Sequence, residues 1–444
     1  MTLFERLDRL PLTRFHWRLL ITSGFGWMFD AMDILLVASV VAAVAVAWQL
    51  TPIESQAINT ANVAGLFFGA LIAGRLADRV GRKAVFQITL LFYSIFSALS
   101  ALAAGPLMLI VVRFLAGLGL GGELPVASTL VSEFAPSSRR GMLVVLLESF
   151  WAYGSVLAAL IGYLVIPNFG WRVAFLIGAL PALYVFVVRR SIPESPRYLL
   201  SQGRAAEAEA IVAEMESSAG IAPPTETTVT EAPPKAAASR VADLFAPRYR
   251  VRTLVLWVMW ATMNFSYYGI FLWLPTQFVR KGFSLNDALL FNLIIAVAQI
   301  PGYFAAAYLV ERLGRKLTLV AFLFGAAVGA FFFGQVALAA KDVPSILIWG
   351  SVVSFFNLGA WGVVYTYTPE MYPTRLRGTG AGWAAAIGRA FAFLAPLSVA
   401  YQIAVFGSDQ NVFLTFTVVM VLGGLIVLAF GPETRGRSLE DLAE

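Results

Sequence analysis

Cysteine is absent from the 444 residues, and histidine occurs once, at His16. Neither a disulfide framework nor a thiolate metal site is possible. His16 precedes the first long apolar run, which excludes a histidine relay inside a membrane and leaves buried proton chemistry to carboxylates. Charge is also scarce: 13% of residues are charged, against ~25% in soluble domains. No nucleophile–base set and no phosphate loop is present, because the glycines of AGLGLGGE fall inside an apolar run. An enzyme is not expected, and neither is a metal or cofactor.

What is present is apolar. Hydrophobic residues make up 59% of the chain and the mean hydropathy is +0.77. A helix needs ~20 apolar residues to cross the ~30 Å hydrocarbon core. Twelve runs qualify, near 18–42, 56–77, 84–104, 107–131, 141–166, 171–190, 252–279, 286–310, 317–339, 344–368, 378–404 and 411–431. Basic residues test the topology. Arg6, Arg9, Arg14 and Arg18 precede span 1; Arg75, Arg79, Arg82 and Lys83 follow span 2; Arg139 and Arg140 follow span 4. Arg312, Arg315 and Lys316 follow span 8, and Arg375 and Arg377 follow span 10. If every run crosses, these lie on one side, so both termini are expected in the cytoplasm. The net charge of +6 is then topological, and no nucleic-acid partner is expected. The amphipathic N-terminus, MTLFERLDRLPLTRFHWR, reads as a retained helix rather than a signal peptide.

Three motifs repeat in order. GRLADRVGRK (74–83) returns as AYLVERLGRK (307–316), SEFAPSSRRG (132–141) as PEMYPTRLRG (369–378), and PESPR (193–197) as PETRGR (432–437). The offsets are 233, 237 and 239 residues. Parallel halves with such offsets imply a pseudo-two-fold along the membrane normal and a site between the halves near mid-membrane. The expected domains are a six-helix bundle over 1–190, a cytoplasmic linker over 191–251, and a second bundle with its tail over 252–444. Within the linker, GRAAEAEAIVAEME is helix-forming, and the Pro/Thr/Ala-rich IAPPTETTVTEAPPKAAAS is expected to be disordered.

These loop motifs resemble the signature of the major facilitator superfamily over the whole chain. PESPR and PETRGRSLED resemble its sugar porter and organic ion transporter branches. NFSYYGIFLW, AQIPGYF and YTYTPEMYPTRLRGTG resemble the animal organic ion transporters, and also the bacterial niacin transporters and the synaptic vesicle glycoprotein group. The Gly-Pro pair of drug antiporters is missing from YGSVLAALIGYLV in span 5. The resemblance implies an all-α membrane protein with a major facilitator fold, twelve helices in two pseudo-symmetric six-helix bundles.

Charges within apolar spans are costly, so each is a functional candidate. Six stand out: Asp30, Asp33, Arg113, Glu123, Glu148 and Arg389. At ~1.5 Å per residue, Asp30 in span 1 and Arg113 in span 4 reach the same depth, with Asp33 one turn further. In the sugar porters that the chain resembles, an aspartate of span 1 meets the span 4 arginine, and WMFDA and VRFLAGLGLGG match those positions. That implies proton coupling through Asp30, Asp33 and Arg113, with Asp30 the partner favoured by the resemblance. A permanent structural pair is the competing reading. Two adjacent carboxyls should titrate as one unit. Glu123, in GLGLGGELP, is either a second protonation point, as in the related phosphate symporters, or a gate residue held by an arginine. Glu148 either lines the cavity or bonds a neighbouring helix.

Arg389 lies ~18 Å into span 11, with no acid of the C-terminal half at its depth. A buried guanidinium needs an anion, and its fork suits a carboxylate. In the organic ion transporters that carry anions, a span 11 arginine has this role. Backbone carbonyls, Glu148 or Asp30 are the competing partners. Tyr267, Tyr268, Trp361, Tyr365 and Trp151, with Asn264, Gln299, Tyr303 and Asn357, complete a candidate pocket for a small planar ion. At the cytoplasmic loops, Asp78 and Glu311 are candidate helix caps. Arg82, Glu133, Arg140, Glu194, Arg315, Glu370, Arg377 and Glu433 are expected to pair across that face and to gate it.

The expectation is therefore a monomeric secondary transporter of the bacterial inner membrane, working by rocker-switch alternating access. Its partners are the lipid bilayer, a small organic ion and a proton, and nicotinate is the leading substrate. A cation or sugar carrier on the same fold, or a non-transporting sensor, would use the same scaffold.

Overall fold

The computed structural model describes residues 2–136, 139–222, 241–372 and 374–435. The Pro/Thr/Ala-rich stretch lies outside the described residues except at its start, and the side chains of Asp78 and Arg377 are not described either. Twelve helices are long and apolar enough to span a membrane. Spans 1 to 6 are Arg14–Ala47, Pro52–Ala73, Arg82–Ser100, Pro106–Phe134, Met142–Phe169 and Trp171–Ser191. Spans 7 to 12 are Arg250–Phe271, Leu285–Leu313, Arg315–Ala340, Val343–Glu370, Gly378–Phe406 and Asp409–Phe430. Each coincides with a run legible in the sequence.

Local chemistry sets the ends and breaks of these helices. Thr51 and Glu54 form a reciprocal capping box at the start of span 2, with Pro52 at the first helical position. Span 7 is shorter than its apolar run: the helix stops at Phe271 and a second helix, Leu274–Arg280, follows. Pro275 supplies no backbone N–H, so it starts a helix more readily than it continues one. Leu272 lies in the break, and its carbonyl accepts a hydrogen bond from Asn59 Nδ2 of span 2 at 3.0 Å. Span 8 is interrupted at Ala298, three residues before Pro301, which cannot bond back to the carbonyl of Val297. Span 4, by contrast, runs unbroken from Pro106 to Phe134, so its GELP segment does not open the helix.

Spans 2 and 4 pack backbone to backbone, with Gly65 against Gly117, Gly69 against Leu118 and Gly121 against Leu66. The halves meet along span 2 against span 11 and span 5 against span 8. Away from the termini, span 1 also packs on Leu274–Arg280. The N-terminal helix Leu3–Asp8 lies against the linker helix Ala205–Ser218, which marks the termini side of the bundle. Arg6 donates to Glu216 through Nε (3.1 Å) and Nη2 (2.7 Å). Arg9 donates to Glu216 at 2.5 Å.

Candidate functional site

A cavity of about 500 Å³ lies between the halves. Its walls run from mid-span residues such as Ile34, Tyr267 and Ala392 to Ser128, Thr368, Pro369 and Gly382 near the termini side. It is therefore open toward the termini and closed at the opposite end, where Asn59 bonds Leu272.

Helical period explains which residues line it. Trp260, Asn264, Tyr267 and Tyr268 share one face of span 7, and Trp361, Tyr365 and Thr368 one face of span 10. Ala385, Arg389 and Ala392 do the same on span 11. Span 5 contributes Val144, Glu148 and Trp151, span 8 contributes Tyr303, and span 1 contributes Trp27 and Ile34. The rings form two aromatic clusters. Trp361 and Tyr365 stack at 5.5 Å between centroids, and Trp260 meets both edge-on at 5.5 Å. Trp27 lies 4.9 Å from Trp151.

Several of these residues also join the halves. Trp151 Nε1 of span 5 donates to the Tyr267 hydroxyl of span 7 at 2.6 Å. Tyr303 of span 8 donates to the carbonyl of Val145 in span 5 at 2.9 Å. Asn264 Nδ2 donates to the carbonyl of Trp260 one turn back at 2.9 Å.

Eight of the ten expected pocket residues line this cavity, and two do not. Asn357 sits ~40° around the helix from Trp361, beyond the lining arc, and its Nδ2 donates to Ser266 Oγ at 3.0 Å. Gln299 lies one turn past Tyr303 toward the closed end, beside a separate void of about 10 Å³ shared with Ser155, Phe271 and Asn292. Trp27 and Trp260 were not anticipated. The i, i+4 spacing of Trp260 to Asn264 could have found the second; Trp27 had no sequence signal beyond its nearness to Asp30.

Only two charged side chains face the cavity among the described residues, Glu148 from the N-terminal half and Arg389 from the C-terminal half. Each acts electrostatically on the other and on Tyr365. They form no ion pair. Arg389 also makes no hydrogen bond among the described residues, so neither backbone carbonyls nor Asp30 holds it. Glu148 lines the cavity, with Tyr365 of span 10 and Trp27 of span 1 as its hydrogen-bonding neighbours.

The span 1 aspartates divide. Arg113 pairs with Asp33, Nη2 to Oδ2 at 2.5 Å, and both side chains are 0% exposed. Asp33 Oδ1 accepts from Ser97 Oγ, and Arg113 donates to Asn62 Oδ1 at 3.0 Å. The pairing with Asp30 suggested by the resemblance is thus corrected: Asp33, a turn further along, is the residue level with Arg113. Asp30 is fully buried, and neither of its oxygens finds a hydrogen-bond donor among the described residues. Its electrostatic neighbours are Glu123, Asp33 and Tyr93. Glu123 accepts from Thr89 Oγ1 at 2.8 Å and makes no ion pair with an arginine among the described residues. None of Asp30, Asp33, Arg113 and Glu123 lines the cavity.

At the termini side the repeated motifs form two equivalent networks. Glu194 Oε1 accepts from the backbone N–H of Arg82 (3.0 Å) and Lys83 (3.3 Å). Glu433 accepts likewise from Arg315 (3.0 Å) and Lys316 (3.1 Å). Arg82 lies 3.5 Å from Glu133, and Arg315 lies 3.1 Å from Glu370. Ser195 donates to Glu133, and Thr434 donates to Glu370. Gly81 (φ 101°) and Gly314 (φ 89°) make the connecting turns, and a Cβ on either would strike the capping glutamate. Among the described residues, Glu194 and Glu433 therefore cap spans 3 and 9. Glu311 instead pairs with Arg315 at 3.5 Å. Arg140 donates to the carbonyl of Ser132 at 3.0 Å. These described contacts stay within one half and do not bridge the two.

Twelve membrane spans in two related halves around a central cavity define a multi-pass membrane transporter of the major facilitator class. The family described as "Sugar (and other) transporter" matches residues 19–444, and the chain belongs to it. Over 444 residues, all of both chains, it is 47% identical to the "Niacin transporter NiaP" of Acinetobacter baylyi. It is 43% identical to the "Putative niacin/nicotinamide transporter NiaP" of Bacillus subtilis, over 95% of this chain and 98% of the other. The inward-open structure of the E. coli xylose transporter XylE superposes with a TM-score of 0.75 at 18% identity, covering 96% of this chain and 99% of that one, which shows a shared fold.

Proposed function

We propose that this protein takes up a small aromatic or heterocyclic carboxylate, nicotinate first among them, in symport with protons. The observation that carries this reading is Arg389: a guanidinium facing an aromatic cavity with no anion bonded to it. A bound carboxylate satisfies its fork with two charge-assisted hydrogen bonds. The ring of the ligand packs among Tyr268, Trp361, Tyr365 and Trp260. The naming of two full-length relatives as niacin transporters supports the same substrate.

Asp30 and Glu123, buried together without a cation, are the residues we assign the transported proton. Asp33 and Arg113 anchor spans 1, 3 and 4 beside them. In the rocker-switch cycle the halves 1–190 and 252–444 move as units on the 191–251 linker. The described contacts of the motif networks, Glu194 with Arg82 and Lys83 and Glu433 with Arg315 and Lys316, stiffen each moving body and support this. The membrane is a bacterial inner membrane with both termini in the cytoplasm, and the state captured is then open to the cytoplasm.

The test is uptake of labelled nicotinate into proteoliposomes under an imposed proton gradient. A charge-assisted hydrogen bond is worth ~1.5–3 kcal/mol, so Arg389→Ala should cut uptake at least ~10-fold. Undiminished nicotinate uptake by that variant overturns the assignment. Cation uptake in place of nicotinate would transfer the site to the carrier of organic cations.

A further inference from the structure

We infer that Glu148 reads the basic ring nitrogen of the substrate, so that the cavity selects heteroaromatic carboxylates over purely carbocyclic ones. This rests on the reading of Arg389 just given and adds a second pole to it.

The cavity presents one cation and one acid among its described lining residues, on opposite halves. A salt bridge between them would close the charge balance, yet they do not make one. Glu148 is only 3% exposed, so its carboxyl cannot rely on bulk water. Tyr365 of span 10 and Trp27 of span 1 are its hydrogen-bonding neighbours, and Arg389 of span 11, Tyr268 of span 7 and Tyr303 of span 8 act on it electrostatically. All but Arg389 are neutral.

A carboxylate with a bare aromatic ring would satisfy Arg389 and bring Glu148 no partner beyond the neutral Tyr365 and Trp27. A ring carrying a basic nitrogen satisfies both. One proton then lies between the Glu148 carboxyl and the ring nitrogen, as O–H···N or as O⁻···H–N⁺. The two forms differ only in where the proton rests, and no covalent bond forms or breaks beyond that transfer. The ligand becomes a strut between the halves, with its carboxylate on span 11 and its nitrogen on span 5. That geometry gives binding a direct grip on the closure of the cavity. It also removes Glu148 from the coupling set with Asp30 and Glu123 and places it in substrate recognition.

The experiment measures equilibrium binding of nicotinate and benzoate to the purified full-length protein. The two acids have the same shape and differ at the ring nitrogen. Forgoing a hydrogen bond to a buried charged group costs ~1.5–3 kcal/mol, or roughly 10- to 150-fold. Wild-type protein should therefore bind benzoate at least ~10-fold more weakly than nicotinate. In Glu148→Leu the ratio should fall to near one, with benzoate binding held or improved, which also reports an intact cavity. Glu148→Met, unbranched and flexible enough to fill the same space, repeats the measurement should the leucine variant fail to fold. A wild-type ratio near one, or a ratio unchanged in the variants, overturns the inference while leaving Arg389 in place. Binding of neither acid by the wild type overturns the proposed function and this inference together.

Discussion

Substituting Asp33 by asparagine removes the anion from a pair whose two side chains are wholly buried. Arg113 keeps Asn62 Oδ1 at 3.0 Å and Ser97 Oγ at 3.4 Å, both neutral. Breaking a buried ion pair by deleting one partner costs ~3–5 kcal/mol, because the remaining charge is stranded in a low dielectric. At ~2 °C per kcal/mol, suited to a large chain, Asp33→Asn should lower the melting temperature by about 6–10 °C. Asp30→Asn is the control. Asp30 has no cation and no hydrogen-bond donor to lose, and its neutral isostere removes repulsion from Glu123 and Asp33. It should therefore melt within ~2 °C of wild type or above it. The double variant Asp33→Leu with Arg113→Met should recover most of the stability lost in Asp33→Asn, since apolar replacement of a buried pair is often neutral. Thermal unfolding of the purified protein in one detergent measures all three. If Asp30→Asn is the more damaging substitution, the division of roles between the aspartates is refuted.

Other outcomes follow from the same geometry. Gly314→Ala forces a side chain into a left-handed turn against Glu433 and should cost at least ~1–2 kcal/mol, seen as a lower melting temperature; Gly81→Ala should behave alike against Glu194. Glu433→Ala removes an acceptor from two N-terminal amides of span 9 and should cost ~1 kcal/mol, with faster amide exchange at Arg315 and Lys316 as the local readout. Burial works to raise the Glu216 carboxyl, but hydrogen bonds from Arg6 and Arg9 outweigh it and hold the group below the ordinary glutamate value. The stabilisation is therefore complete above the unfolded value of ~4.3 and is lost as pH falls through the lower folded one. Proteolysis of the N-terminal helix should rise over that acidic window, and Glu216→Gln should bring the same sensitivity at neutral pH. Unchanged cleavage in Glu216→Gln would refute the docking of Leu3–Asp8 on the linker.

Much of the fold is legible before any coordinates. Twelve apolar runs mark the twelve spans within a few residues, since only a helix satisfies its own backbone in lipid. The repeat offsets anticipate the two equivalent networks at Gly81 and Gly314. The site is legible in part. Arg389, Glu148 and the YYG tyrosines stand out because intramembrane charge is rare and aromatics recur at helical spacing. Gln299 and Asn357 mislead because a polar residue in an apolar helix is equally at home bonding a neighbouring helix, and rotation of a few tens of degrees decides between the two. Trp27 is invisible beforehand because its helix faces three others and composition does not say which face meets the cavity.

The amino-acid sequence by itself determines how many apolar runs can cross a membrane, that its halves are related, and which charges lie within those runs. Those are matters of length, periodicity and transfer free energy, and they are local. Only the tertiary structure decides partnership. It gives Arg113 to Asp33 and leaves Asp30 with Glu123, makes Glu194 and Glu433 caps of spans 3 and 9, and sets Glu148 against Arg389 across the cavity without joining them. Such choices depend on helix rotation and depth to within a single turn, and those are fixed by how all twelve spans pack together.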